Sequence, residues 1–161
     1  MKEDPMPNPL QPGDAAPDFN LPRDGEGSLS LADFKGRKLV LYFYPKDDTS
    51  GCTAEAIDFN RLGSAFAEAG ATVVGASPDP VKQHDKFRKK YELAFPLLAD
   101  ETKETLEAYG VWVEKSMYGR KYMGVERTTF LIGGDGNIAK IWRKVKVPGH
   151  ADEVLAAAKA L

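Results

Sequence analysis

Between Gly36 and Pro45 the chain reads Lys38-Leu39-Val40-Leu41-Tyr42-Phe43-Tyr44, a near-continuous apolar run of strand length. A strand with one wet face alternates apolar with polar residues; one without that alternation must be covered on both faces, which calls for a layered fold around a parallel or mixed sheet. After the turn residues Asp47-Asp48-Thr49-Ser50-Gly51, apolar side chains at Ala56, Phe59, Leu62 or Gly63, Phe66 and Ala69 keep a helical period up to Gly70. That spacing predicts an amphipathic helix. Thr72-Val73-Val74-Gly75-Ala76-Ser77 predicts a second buried strand. Pro80 then opens a helix to Tyr91 whose Lys86-Phe87-Arg88-Lys89-Lys90 stretch carries a solvated basic face.

The second half continues the alternation. A short helix over 103–109 follows Leu97-Leu98, and Thr128–Ile132 and Asn137–Trp142 flank Gly133-Gly134-Asp135-Gly136 as a hairpin. A closing helix carries Asp152 and Glu153 in its first turn and Lys159 in its last, as the helix dipole favours. The expected class is α/β: a central mixed sheet with helices on both faces. At 161 residues the chain suits one domain, expected over 14–161 after an extended, proline-rich lead-in over 1–13.

Composition excludes several classes of function. With 42% hydrophobic and 29% charged residues the chain can bury a core, and a net charge of −2 provides no field favouring nucleic acid or an anionic membrane. No window is apolar for the roughly 18 residues of a spanning helix, and the N-terminus lacks the apolar run of a secretory signal. The expected location is the reducing cytoplasm.

One cysteine, Cys52, leaves no partner for an intramolecular disulfide. A lone cysteine is by default a small buried hydrophobe. This one follows Gly51 at the junction of the apolar strand and the amphipathic helix, in the helix's first turn, where unpaired backbone N–H groups and the dipole favour a negative sulfur. At 100° per residue, positions 52, 56, 59, 63 and 66 share a face, so the sulfur points to the core side. Thr49, three residues earlier, is placed either to cap the helix or to lean across the sulfur toward a substrate oxygen, and on spacing alone capping is the default. Arg127 precedes an apolar strand, where a surface ion pair or a solvated sheet end is the bland reading.

The stretch Tyr44-Pro45-Lys46-Asp47-Asp48-Thr49-Ser50-Gly51-Cys52-Thr53-Ala54-Glu55 resembles the active-site segment of peroxiredoxins, with its Pro-x-x-x-Thr-x-x-Cys spacing. The branch it is similar to is that of bacterioferritin comigratory protein, or PrxQ. The likeness extends from Gly13–Phe19 through Gly75–Asp79, Phe95–Asp100 and Tyr109–Trp112 to Tyr122–Ile132. The resemblance implies a thioredoxin-like fold and a thiol peroxidase reducing hydrogen peroxide and organic hydroperoxides. It implies that Cys52 is the peroxidatic nucleophile, Thr49 holds the peroxide, Pro45 shields the sulfur and Arg127 completes the pocket. A monomer fits that branch, and the expectation is that no cofactor or metal takes part.

Two departures from the family's pattern stand out. Ser50 replaces a proline often found there, which loosens the loop without touching the chemistry. Many relatives in the branch carry a resolving cysteine five residues after the first, and here that place is Ile57, expected to add apolar packing. Five residues of intact helix separate two positions by about 7.5 Å and about 140°, beyond disulfide reach, so the family's bond already requires local unwinding. The expectation is a one-cysteine cycle closed by an external thiol: thioredoxin, glutaredoxin or a small thiol.

Competing chemistries lack their parts. Cys52-Thr53-Ala54-Glu55 is not Cys-x-x-Cys, and His84 and His150, the candidates for a hydrolase base, both read as solvated surface residues without metal-ligand spacing. Gly133-Gly134-Asp135-Gly136 lies between strands, so it is a turn and not a phosphate cradle. Tyr118, Tyr122 and Trp142 read as a strand face in the core or at the pocket rim. The alternative function is a non-catalytic interaction or chaperone-like module that keeps the fold without turnover.

Overall fold

The computed structural model describes residues 9–161. Of the expected lead-in, residues 1–8 lie outside the described residues, and the rest is tied down. The Leu10 carbonyl accepts from Arg143 at 2.7 Å, and Gly13 N–H donates to the Ile138 carbonyl at 2.7 Å. Contacts with the domain therefore begin ahead of residue 14.

The elements in chain order are β1 (Asn20–Pro22), β2 (Ser28–Ser30), a 3-10 turn (Leu31–Phe34), β3 (Lys38–Phe43), α1 (Ser50–Arg61), α2 (Gly63–Glu68), β4 (Ala71–Ser77), α3 (Val81–Tyr91), β5 (Leu97–Ala99), α4 (Glu104–Ala108), β6 (Trp112–Met117), β7 (Arg120–Val125), β8 (Thr128–Ile132), β9 (Ile138–Trp142) and α5 (His150–Ala160). The main sheet runs β5-β4-β3-β8-β9. In it β3 is central, parallel to β4 and antiparallel to β8, so the sheet is mixed. The expected hairpin is β8–β9, and β1–β2 and β6–β7 form separate two-stranded ribbons.

The apolar run is continuous because both faces of β3 are covered. Val40, Tyr42 and Tyr44 pack under α1, α2 and α5 with Phe59, Phe66 and Val154. Leu39, Leu41 and Phe43 face the opposite layer with Phe34, Leu106, Tyr109 and Phe130. All six of these β3 and post-β3 side chains are at most 1% exposed, so one strand serves two cores.

Several expectations are corrected here. The helix expected to run on to Gly70 breaks at Leu62 into α1 and α2, beside Gly63, a poor helix former. Ile57 is 45% exposed and adds no core packing, because about 140° of helical rotation carries it off the face that buries Cys52. Tyr118 is 98% exposed, and Tyr122, Met117 and Met123 are also exposed. They lie on or at the tip of the β6–β7 ribbon, which pairs with no third strand. Trp142 lies part-buried at the sheet edge and donates to Glu153 at 3.1 Å.

Both histidines are buried rather than solvated. His150 starts α5, with Nε2 2.8 Å from Thr129 Oγ1 and its ring edge-on to Phe59 and Trp142. Burial pushes its pKa down from 6.5 to about 4. Unfolding lets His150 take up a proton below its unfolded pKa, so the stability it contributes is complete above about 6.5 and lost as pH falls toward 4. The stability of the parent to chemical denaturation is therefore expected to fall through that window, as pH drops, more than that of His150→Gln; parallel pH profiles would refute the assignment.

Candidate active site

The site forms where β3 ends. Phe43 pairs with Thr128, so residue 127 lies across from the start of the loop that leads from Pro45 to Cys52. The antiparallel β3–β8 ladder thus brings Arg127 to the sulfur across 75 positions of sequence. This juxtaposition could not be read from the spacing of the residues themselves.

Cys52 lies in the first turn of α1, 2% exposed, in the cluster of Ala56, Phe59 and Phe66, as the helical stepping requires. The first helical bond is Thr53 N–H to the Thr49 carbonyl at 2.8 Å, which leaves the N–H groups ahead of it free of intrahelical partners. Arg127 Nη2 donates to Cys52 Sγ at 3.4 Å. Gly51 eases the approach: a Cβ there would stand 3.2 Å from Arg127 Nη2, closer than ordinary contact. Arg127 is thus neither a surface ion pair nor a solvated sheet end.

Thr49 has the extended backbone of a residue preceding a helix, but its hydroxyl makes no cap. Instead Oγ1 donates to the Lys46 carbonyl at 2.8 Å, closing the loop on itself. With its proton so committed, the exposed Oγ1 is available as an acceptor. Pro45, half-buried, begins the same loop.

Glu55, missed in the sequence, is the second charged group of the site. It is 1% exposed, and its Oε1 accepts from Arg127 Nη1 at 2.6 Å. Burial pushes its pKa from 4.5 to about 7 against the opposing pull of the guanidinium. For Arg127, burial pulls the pKa down but Glu55 and Cys52 outweigh it, and the guanidinium stays charged. Among the described residues, the buried side-chain polar atoms without a partner are Glu55 Oε2 and Tyr42 Oη. Tyr42 belongs to the same cluster as Cys52, and its phenol is raised by burial first, then by Glu55 and Cys52. Glu55 had a legible signal: three residues past Cys52 it falls about 60° from the cysteine's face, where a carboxylate needs a partner.

A second buried group joins the loop to α3. His84 is 0% exposed, with Nδ1 2.6 Å from Asp47 Oδ2 and Nε2 2.9 Å from the Leu98 carbonyl. Burial alone would lower its pKa, yet the contact with Asp47 and the Leu98 carbonyl raises it.

A first-turn cysteine facing an arginine, at the end of the central strand of a mixed α/β sheet, is the arrangement of a thioredoxin-like peroxidase. The chain belongs to the peroxiredoxins of the AhpC/TSA family, whose model matches residues 12–141. It is similar to Peroxiredoxin Bcp of Bacillus subtilis, 47% identical over 91% of this chain and 93% of that protein. Peroxiredoxin Bcp of Escherichia coli is 42% identical over 92% and 95%. Among solved structures, Xanthomonas campestris Peroxiredoxin Q superposes with a TM-score of 0.85 at 48% identity, covering 88% of this chain and 90% of its own.

Proposed function

We propose that this peroxiredoxin is a thiol peroxidase that reduces hydrogen peroxide and organic hydroperoxides at Cys52 and is regenerated by an external thiol. The observation that carries the reading is Arg127 Nη2 set 3.4 Å from a sheltered sulfur. A relative supports the substrate class: structures of the Xanthomonas campestris bacterioferritin comigratory protein concern its alkyl peroxide reduction activity.

The electrons move as follows. The Cys52 thiolate attacks one peroxide oxygen, the O–O bond breaks, and the other oxygen leaves with the electron pair as hydroxide or alkoxide and takes up a proton. Sulfur is oxidised by two electrons to the sulfenic acid. Arg127 and the free N–H groups of the first turn face the charge growing on the departing oxygen, Thr49 Oγ1 accepts from the hydroperoxide O–H, and Pro45 covers the sulfur. Glu55 fixes the guanidinium by holding its other arm.

Cys52 has no second cysteine to condense with. An external thiol therefore condenses with the sulfenic acid, releasing water and leaving a mixed disulfide, and a second thiol attacks the outer sulfur to free Cys52. Thioredoxin, glutaredoxin and a small thiol all fit this step, which suits the reducing cytoplasm. Action as a monomer, which fits the branch the chain resembles, is part of the same proposal.

One equivalent of hydrogen peroxide is expected to add one oxygen to the intact mass of the fresh protein with no disulfide formed. Turnover should then require added thiol, and comparing thioredoxin, glutaredoxin and small-thiol donors identifies the reductant. An unmodified Cys52 would overturn the reading.

A further inference from the structure

The loop carrying Pro45 and Thr49 is anchored by a buried cluster that the peroxide chemistry does not touch. Asp47 lies in that loop, 8% exposed, and is held from three directions. Its Oδ1 accepts from the Tyr44 hydroxyl at 2.5 Å at the end of β3. Its Oδ2 faces His84 Nδ1 on α3 at 2.6 Å. Its backbone N–H donates to Asp79 Oδ2 at 2.8 Å, and the Ser77 hydroxyl donates to that same oxygen at 2.7 Å.

The Leu98 carbonyl can only accept, so His84 Nε2 carries a hydrogen toward it. The opposite nitrogen faces a carboxylate, so both ring nitrogens face acceptors, the arrangement of an imidazolium. The groups acting on it are Asp47 from the loop, the Tyr44 hydroxyl at 3.5 Å, the Leu98 carbonyl of β5, and Asp79 from the turn before α3.

Resting on the peroxidase reading above, we infer that His84 is a positioning residue for peroxide reduction, holding the Pro45–Thr49 loop against Cys52 through Asp47. A buried ion pair is a poor stabiliser compared with apolar packing of the same volume. The elements it joins are already joined: β3, β4 and β5 by their ladders, and α3 to the core by Phe87. The stretch with no ladder of its own is the loop. A second tie supports the same role, since Asp48, with a left-handed φ of 60°, accepts from Lys90 Nζ at 2.8 Å and Tyr91 Oη at 2.7 Å on α3. Misplacing reacting groups by about 1 Å can cost about 100-fold in rate.

The test compares His84→Asn, which keeps an N–H on the Asp47 side, with His84→Gln, which keeps one on the Leu98 side. The measurements are thermal unfolding and the rate constant of Cys52 oxidation by hydrogen peroxide. His84→Gln is expected to be at least about 10-fold slower in its folded fraction, and His84→Asn to recover to within about threefold of the parent. Parent-like rates in His84→Gln, equal losses in both variants, or a loss matching only the unfolded fraction would overturn the inference. If neither variant folds, Asp47→Asn, which removes the carboxylate from the same contact, carries the test, and a parent-like rate in its folded fraction overturns the inference. A parent whose Cys52 is not oxidised at all would instead overturn the peroxidase reading.

Discussion

Replacing Arg127 with alanine is expected to slow oxidation of Cys52 by hydrogen peroxide about 100–1,000-fold, the loss that follows removal of one donor aimed at developing negative charge. Ionising the sulfur cannot supply this factor. A thiol made more acidic is ionised more often but is a weaker nucleophile, and with a Brønsted slope of about 0.4–0.5 the two changes largely offset each other. What remains is the charge on the departing oxygen, and Arg127, 3.4 Å from the sulfur, is the cation beside it. The same substitution takes from Glu55 its only side-chain partner among the described residues. Its carboxyl, already raised to about 7 by burial, should rise further and be neutral at pH 7. Arg127→Lys should recover only part of the loss, since one ammonium cannot turn separate N–H arms to Glu55 and to the sulfur. Stopped-flow oxidation rates, corrected for the thiolate fraction read from ultraviolet absorbance, decide the matter. An alanine variant as fast as the parent after that correction would remove Arg127 from the mechanism.

The parts of the fold that were legible are those where one local pattern has one cause. The apolar run over 38–44, bounded by Gly36 and Pro45, pointed to a strand covered twice, and the turn over 133–136 pointed to a hairpin between neighbouring strands. The burial of Cys52 followed from helical stepping alone, because Ala56 and Phe59 fix the face of α1 that meets the sheet. The same arithmetic, applied to Ile57, would have placed it in solvent. His84 reads as polar beside Lys82, Gln83 and Asp85, yet it shares helical spacing with Val81, Phe87 and Tyr91, and that stripe, rather than its immediate neighbours, decides its burial. Tyr118 and Tyr122 misled in the opposite sense: aromatic strand residues are core residues only when another layer covers the strand, and the β6–β7 ribbon stands apart.

The polar contacts of the site were the least legible part. Arg127 reaches Cys52 across 75 residues and Glu55 across 72, and Asp47 meets His84 across 37. None of these distances has a local sequence signal, because each is set by strand pairing or by the packing of α3. Family resemblance supplied Arg127 as a residue type at a motif position. The β3–β8 register supplies the physical reason that it arrives there, and it also sets Arg127 against Glu55, which the motif did not single out.

Cys52→Ser is expected to abolish peroxide consumption with every thiol donor, and this separates an enzyme from a module that keeps only the fold. Chemically the change is complete: a serine hydroxyl is not appreciably ionised near neutral pH, and its oxygen cannot take up a second oxygen as sulfur does in forming a sulfenic acid. Structurally it is small. The side chain is nearly isosteric, and Oγ remains an acceptor for Arg127 in the place where Sγ now accepts at 3.4 Å. The helix start, the Glu55–Arg127 pair and the loop anchored on α3 should persist, so any surface used for binding alone would be unaltered. A folded Cys52→Ser protein with no peroxide consumption above that of thiol in buffer therefore assigns the reaction to the sulfur. Thiol-dependent consumption that survived in this variant would place the chemistry elsewhere in the molecule, and consumption absent from the parent with all donors would leave only the interaction module.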